Sequence, residues 1–536
     1  MTTEVDVIVI GSGFGGAISA SRIAEAGFKV KILERGPWRD SIPNASQDIP
    51  NRVPFPTEGR HFWTKAVRTI RNNKLPGGRL TLNKKGFYEV LIGKGLNILC
   101  SSNVGGGSHA YGGLNMPPPM PGYWDDIDSG LSEDLMAGHY AEVLKRMGSS
   151  TPGDEHIPQS IRKRFSHSDD IHSGPDVGDL QMGYLFPKEP GNPKEITTED
   201  GVRRCEIGYG EGGFLGSPDG AKTSLEVAYL YRAMKQGLEI CDQQEVLAIR
   251  KETKAGQTRY CVNVENHHSG QFESHYAKHV IVAAGTVNTL HLLLHSRDGD
   301  KGLGGMPQLG KTFGSNGDYF AYWDWQDRFH DMSQSLPVNG YVRLKGETEA
   351  QEADQPFIIE APLPCPDKLR LPSWLANKLR QGTFIAGMGK DAMDGTISLK
   401  KGKLNVDYKP ENSSIFGEIR GQMDRIAEKT GKRILSIKRP TTAHPLGGAC
   451  IGRNINEGVV DGKGEVFDHP GLYVADAAAL PKPVEGPPSM TVAAWANHVG
   501  EQLIVKLQRE KSDSFGQPFL LQKLSEKQYT EMDEID

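Results

Sequence analysis

Residues 5–16 read Val-Asp-Val-Ile-Val-Ile-Gly-Ser-Gly-Phe-Gly-Gly, and this stretch decides the fold. Residues 5–10 are a short β-branched run that suits a buried parallel strand. Gly11 lets the chain turn sharply out of that strand. Gly13 removes a Cβ so that backbone can approach a pyrophosphate, and Gly16 lets the following helix pack close to the strand. The helix reads over Ala17–Ala26 and ends at Gly27. Its N-terminus offers unpaired N–H groups and a positive dipole end to phosphates. A second strand, Lys29–Leu33, finishes at Glu34. That carboxylate can accept from ribose hydroxyls and would repel the 2′-phosphate of NADP. A glycine turn alone is weak evidence. Strand, turn, helix, strand and terminal acid in this order predict a dinucleotide site, with FAD the first candidate, formed around Gly11, Gly13, Phe14, Gly15, Gly16 and Glu34.

Working outward, composition bounds the rest. The chain has 536 residues, 37% hydrophobic and 24% charged, with a net charge of −5. That is globular, long enough for more than one structural unit, and without the basic excess that nucleic-acid binding requires. The cysteines Cys100, Cys205, Cys241, Cys261, Cys365 and Cys450 are widely spread. They read as free thiols, with neither a disulfide framework nor a metal site. No apolar run is long enough for a transmembrane helix, and no signal-peptide pattern follows Met1, so a cytoplasmic location is the expectation.

Residues 37–95 read as irregular and rich in Pro, Gly and basic side chains. A second glycine cluster spans Gly105–Gly113. Helices are expected over 131–147, 225–235 and 289–296, and strands over 239–251, 260–265 and 279–283. Residues 316–440 change texture to alternating strand-like runs, among them 340–344 and 356–359, which predict a mixed or antiparallel sheet. Strand texture of the first kind returns at Gly471-Leu-Tyr-Val-Ala-Asp476, followed by a closing helix over 489–507. The expected fold class is α/β: a Rossmann-like FAD-binding domain (1–37, 210–315 and 460–510) interleaved with an α+β substrate domain (38–209 and 316–459), and a C-terminal tail at 511–536.

Several segments together resemble the glucose–methanol–choline (GMC) oxidoreductase family, and within it the cholesterol oxidase branch. They are the N-terminal turn, Asn103-Val-Gly-Gly-Gly-Ser-His-Ala-Tyr-Gly-Gly113, Val282-Ala-Ala-Gly-Thr-Val-Asn-Thr289, His444-Pro-Leu-Gly-Gly448 and Gly471–Asp476, in the family's order. The resemblance implies an FAD-dependent enzyme that oxidises alcohols. It implies contacts to FAD from Phe14, Gly15, Glu34, Gly107, Gly112, Val246, Gly285 and Asp476. The bland readings are a buried strand residue for Val246 and a helix cap for Asp476.

Two departures stand out in the second glycine cluster. Ala110 occupies the position of the histidine that carries covalent FAD in some family members, with His109 one residue off, so FAD is expected to bind non-covalently. Tyr111 stands where the cholesterol oxidase branch has an asparagine near the flavin.

Alcohol oxidation needs a proton taken from oxygen while hydride leaves carbon, and histidine is the side chain suited to exchange that proton near neutral pH. His444 is the catalytic candidate. The family's second polar group, His or Asn, aligns with Pro487, which can neither donate nor accept through its side chain. Glu360, in Phe357-Ile-Ile-Glu-Ala-Pro362, is a second catalytic candidate, one residue later than the family's glutamate. A one-residue offset in a strand turns a side chain to the other face unless a bulge restores it. The missing polar group also keeps open a hydroxynitrile-lyase-like, photochemical or non-catalytic FAD protein of the same fold.

The expected partners are a small, lipophilic alcohol, a sterol among the candidates, and oxygen or another electron acceptor. Residues 62–74 and 366–382 interleave aromatics and leucines with Lys and Arg. They fit either packed helices with solvated basic faces or basic amphipathic pieces making transient contact with a membrane surface.

Overall fold

The structure, a computed structural model, describes residues 5–58, 61–128, 130–156, 171–174, 180–210, 212–254, 256–300, 302–345, 355–363, 366–369 and 371–514. Strand β1 (Val7–Ile10) and strand β2 (Val30–Leu33) flank helix α1 (Phe14–Glu25). All residues of both strands are buried, as suits the apolar run Val-Ile-Val-Ile of β1 in a parallel sheet covered on both faces; Lys31, the one charged residue of β2, pairs with Glu239 at 3.1 Å. The sheet is parallel throughout and adds the strands Glu239–Cys241, His279–Val282 and Leu472–Val474. Three distant parts of the chain therefore converge on one sheet. The helices Thr286–Asp298 and Ser489–Ser514 follow its strands.

A six-stranded sheet pairs Tyr319–Asp324, Gly340–Leu344, Phe357–Ala361, Thr383–Met388, Arg433–Ser436 and Ile171–Gly174, antiparallel throughout. Its two faces differ. Ile358, Ile385, Ala321 and Trp323 join the main core with Ile415, Phe416 and Ile419 of the helix Ile415–Thr430. Phe357, Ile359, Ala361, Tyr341, Ala386 and Met388 form a second apolar cluster with Leu114, Met182 and Val338.

The structure corrects three expectations. Residues 37–95 are not irregular. They supply the strands Val67–Arg71, Arg79–Thr81 and Tyr88–Ile92, which form a five-stranded sheet with Asn97–Ser101 and Thr441–Thr442. Each of these strands is only three to five residues long, too short to announce itself by a period of alternating side chains. Residues 62–74 are not an amphipathic helix either: a short helix, Phe62–Ala66, runs into the strand at Val67, and Arg68 and Arg71 are buried. The β-branched residues Val67, Thr69 and Ile70 suit a pleated, half-buried surface. The closing helix, finally, reaches Ser514, so the first residues of the expected tail are helical, and residues 515–536 lie outside the described residues.

In the second basic segment, Pro366–Leu369 and Ser373–Arg380 are separate helical turns. Trp374 is exposed there, but Lys378 pairs with Asp324 at 2.6 Å and Arg380 with Asp331 at 3.3 Å. Arg370 lies outside the described residues. No helix of the described residues is long and apolar enough to cross a membrane.

Candidate active site

A cavity of about 380 Å³ opens where β1 and β2 end. Gly11, Gly13, Glu34, Gly107, Val246 and Gly285 line it. A side chain on Gly11 would put its Cβ 2.4 Å from the Ala283 carbonyl oxygen, and one on Gly16 would stand 1.9 Å from the Gly11 carbonyl oxygen. Gly13 is different: its Cβ would meet protein only at Gly106 Cα, 3.9 Å away, so the space in front of it stays open. Gly13 is also the N-cap of α1 and supplies no side chain to its first N–H groups, which leaves them for an anion. The two glycine clusters touch, since a Cβ on Gly106 would stand 2.5 Å from Gly13 Cα.

Glu34 closes the cavity at the end of β2. Its Oε2 accepts from Ser12 N at 2.9 Å and Ser12 Oγ at 2.7 Å, and Oε1 accepts from Gly36 N at 2.7 Å. Burial raises its carboxyl above the ordinary range, against the lowering effect of those donors. A carboxylate has further lone pairs to offer a ribose. Beside it a buried ion cluster forms that the sequence reading missed. Glu89 bridges Arg35 at 2.8 Å and also Arg71, and both arginines reach Asn288 Oδ1, at 3.5 and 3.2 Å. Burial alone would raise the Glu89 carboxyl, but the two guanidinium groups hold it down at about 2. The Asn288 oxygen is thus occupied, and its amide donors are left for the cavity it lines. Glu245, Glu265 and His267 also converge, within 4.8 Å of one another. Arg79 and Lys84 already pair with the two carboxylates, at 2.9 and 2.5 Å, so the group is an ion-pair cluster. The open glycine face, the uncapped helix start and the ribose-side carboxylate together fit FAD.

The remaining candidates lie outside that lining. Gly15 packs against the Ala475 carbonyl, where a Cβ would approach to 2.6 Å. Phe14 and Tyr111 meet edge to face with ring centroids 5.5 Å apart. A Cβ on Gly112 would stand 2.9 Å from Val338 Cγ2, which places the second glycine cluster against the second apolar cluster. Asp476 takes the capping position. Its Oδ1 accepts from Ala478 N at 3.0 Å, and its Oδ2 accepts from Gly285 N at 2.8 Å and Thr289 Oγ1 at 2.5 Å. Burial pushes its carboxyl up to about 6.

Beneath the second glycine cluster lies Lys222, also missed from sequence. Its ammonium is buried and donates to the carbonyls of His109, Tyr111 and Gly213 at 2.7–2.9 Å. Burial pushes it down to about 7. It clamps the turn on either side of Ala110. The His109 ring is buried as well, with Nε2 2.6 Å from Glu226 Oε1 and 2.9 Å from the Val104 carbonyl oxygen.

His444 is held by a residue no sequence signal marked. Its Nδ1 lies 3.0 Å from Oδ1 of Asp318, which is buried. The other Asp318 oxygen accepts from Thr442 Oγ1 at 2.7 Å, Ala443 N at 3.0 Å and His444 N at 3.2 Å. With Nδ1–H directed at a carboxylate, the neutral ring carries its lone pair on Nε2. The side chain is 29% exposed, and Nε2 has no hydrogen-bond partner among the described residues. Burial lowers the imidazole pKa, but the charge and hydrogen bond of Asp318 outweigh it, and the net shift is upward. The stability this pair contributes is therefore fully present below the ordinary histidine range and is lost as pH rises through the raised folded value.

Glu360 lies on the face of the sheet opposite the second apolar cluster. Pairing from Phe357↔Met388 to Ala361↔Phe384 is continuous, with no bulge. Glu360 therefore shares its face with Ile358 and Gly387, and a Cβ on Gly387 would meet Ile419 of the flanking helix at 2.5 Å. Ile359 points instead into the cluster that abuts Gly112. The one-residue offset placed Glu360, buried, on the helix-packed side of the sheet.

The fold and cavity, together with the matching family models, define an FAD-dependent oxidoreductase. Residues 6–47 match the family model for an FAD binding domain, and residues 188–315 and 390–496 match the two models for GMC oxidoreductase. The chain belongs to the GMC oxidoreductase family. It is similar to a cholesterol oxidase of Acinetobacter baumannii, at 23% identity over 92% of this chain and 93% of that one. A long-chain-alcohol oxidase of Arabidopsis thaliana is 22% identical over 92% of this chain and 67% of its own length. The crystal structure of a pyridoxine 4-oxidase shares the fold, with a TM-score of 0.58 at 15% identity, covering 93% of this chain and 99% of that one.

Proposed function

We propose that this protein oxidises the CH–OH group of an apolar alcohol, with His444 as the acid/base. The observation that carries the reading is the Asp318–His444 pair, which orients the imidazole through Nδ1 and leaves Nε2 open. FAD, when bound, supplies the hydride acceptor. Nε2 takes the hydroxyl proton as the carbinol hydrogen departs with its electron pair, leaving a carbonyl product. Asp318 stabilises the imidazolium that forms, and oxygen or another acceptor removes the electrons to close the cycle. Alcohols are supported by the cholesterol oxidase and long-chain-alcohol oxidase relatives. A lipophilic substrate is supported by the apolar cluster of Leu114, Tyr341, Phe357, Ile359 and Met388 against the second glycine cluster. A sterol is one such substrate. Pro487 favours a second reading, a non-redox protein of this fold resembling a hydroxynitrile lyase. Anaerobic mixing with sterols, aliphatic alcohols and aryl alcohols separates the two. Bleaching of the oxidised-flavin absorption supports oxidation, and no bleaching across the panel overturns it.

Two predictions arise here. A general base must be neutral to act, so flavin reduction rises with pH through the raised pKa of His444. Asp318→Asn is expected to move that acidic limb to lower pH and to slow reduction by about 100-fold; an unmoved limb in the pH profile would detach Asp318 from the mechanism. FAD is also held without a covalent bond in this reading, since the His109 ring is engaged by Glu226 and Val104. Acid precipitation is expected to release all the flavin to the supernatant, and flavin remaining in the pellet would refute this.

A further inference from the structure

The turn at residues 315–318 sends each of its polar side chains to a different part of the site. Ser315 Oγ donates to Asp391 at 2.9 Å, which anchors the turn. Asp318 holds His444, as described above. Asn316, fully buried, grips a third segment. Its Oδ1 accepts from Val484 N at 2.9 Å and Glu485 N at 3.2 Å, and its Nδ2 donates to the Gly486 carbonyl at 2.8 Å.

We propose that Asn316 is a positioning residue for the chemistry at His444, locking the loop that carries Pro487 to the turn that carries Asp318. The inference rests on the reading of His444 as the acid/base. Only one residue separates Asn316 from Asp318, so the two loops they hold cannot shift independently. The side chain type is matched to the task, because two N–H groups and one carbonyl need an acceptor and a donor on the same short amide. The backbone agrees: Asn316 has φ of +58°, a left-handed conformation that asparagine and glycine tolerate. Pro487 has no side-chain hydrogen bond with which to place itself, so its location is set through the peptide groups just before it. Asn316 supplies that restraint from the element that also sets the orientation of His444.

Asn316→Gly keeps the left-handed backbone and removes the grip. The holoenzyme variant is expected to retain FAD and the fold, with a lowered melting temperature because two N–H groups and a carbonyl lose their partner. Its kcat for flavin reduction should fall about 100-fold with KM little changed, the effect of a displacement of about 1 Å at the reacting groups. Because Asp318 is the charged group acting on the His444 ring, loosening the turn should also move the acidic limb of the pH profile down. Asn316→Asp still accepts from Val484 and Glu485, and because burial favours the protonated carboxyl its O–H can donate to the Gly486 carbonyl in place of the amide, so it should recover about tenfold of the lost rate. A wild-type rate and limb in Asn316→Gly would overturn the proposal. So would loss of FAD or of fold in that variant, or an Asn316→Asp rate no better than that of Asn316→Gly. His444→Ala, measured in parallel, distinguishes failure here from failure of the acid/base reading, which falls only if that variant still reduces flavin normally.

Discussion

His444→Ala is expected to slow flavin reduction by substrate by about 100- to 10,000-fold while FAD remains bound. The imidazole is the group with an open nitrogen and a carboxylate behind it, so its removal leaves the hydroxyl proton without an oriented acceptor. The scaffold should survive the change. Asp318 keeps its hydrogen bonds from Thr442 Oγ1, Ala443 N and His444 N, none of which needs the ring. The cavity that fits FAD does not include His444 among its lining residues. Anaerobic stopped-flow reduction, with the flavin-to-protein absorbance ratio as the control, reads both quantities. Near-normal reduction in this variant would remove His444 from the mechanism.

Gly16→Ala should abolish FAD binding and destabilise the protein by about 3 kcal/mol. Its Cβ would stand 1.9 Å from the Gly11 carbonyl oxygen, which cannot yield without distorting the end of β1, itself tied to β2 through Gly11 N and the Leu33 carbonyl at 2.9 Å. The contrast with Gly13→Ala isolates the cofactor's share. At Gly13 the nearest protein atom to a new Cβ is 3.9 Å away. That variant should fold with near wild-type thermal stability of the apoprotein, yet bind FAD about tenfold more weakly or worse, a loss of 1.4 kcal/mol or more. Thermal melts and flavin titration of the apoproteins check the pair. Wild-type flavin content in Gly16→Ala, or equal melting losses in both variants, would contradict the assignment of these roles.

Much of the fold was legible because its deciding elements are local. Residues 5–34 carry their own period, turn chemistry and terminal acid, and the structure reproduces strand, helix and strand with boundaries shifted by a few residues. The helices near 133–146 and 286–298 were visible for the same reason. The strands between Val67 and Ile92 were not, because each is three to five residues long, too short to show a period among the Pro, Gly and basic residues around it. Glu360 marks a finer limit. Its segment was correctly read as a strand, but the face it occupies depends on register against Thr383–Met388, and one residue reverses it.

Sequence by itself determined the dinucleotide turn, and through several motifs in the family's order the family and the cofactor, and it singled out His444 as a candidate. Only the tertiary structure decided what stands behind His444 and where the neighbouring loop is held. Asp318 and Asn316 act across chain separations of more than a hundred residues, through buried hydrogen bonds whose geometry no local pattern encodes. Burial raises the worth of those bonds by excluding competing water, and which groups are buried together is a property of the folded chain alone.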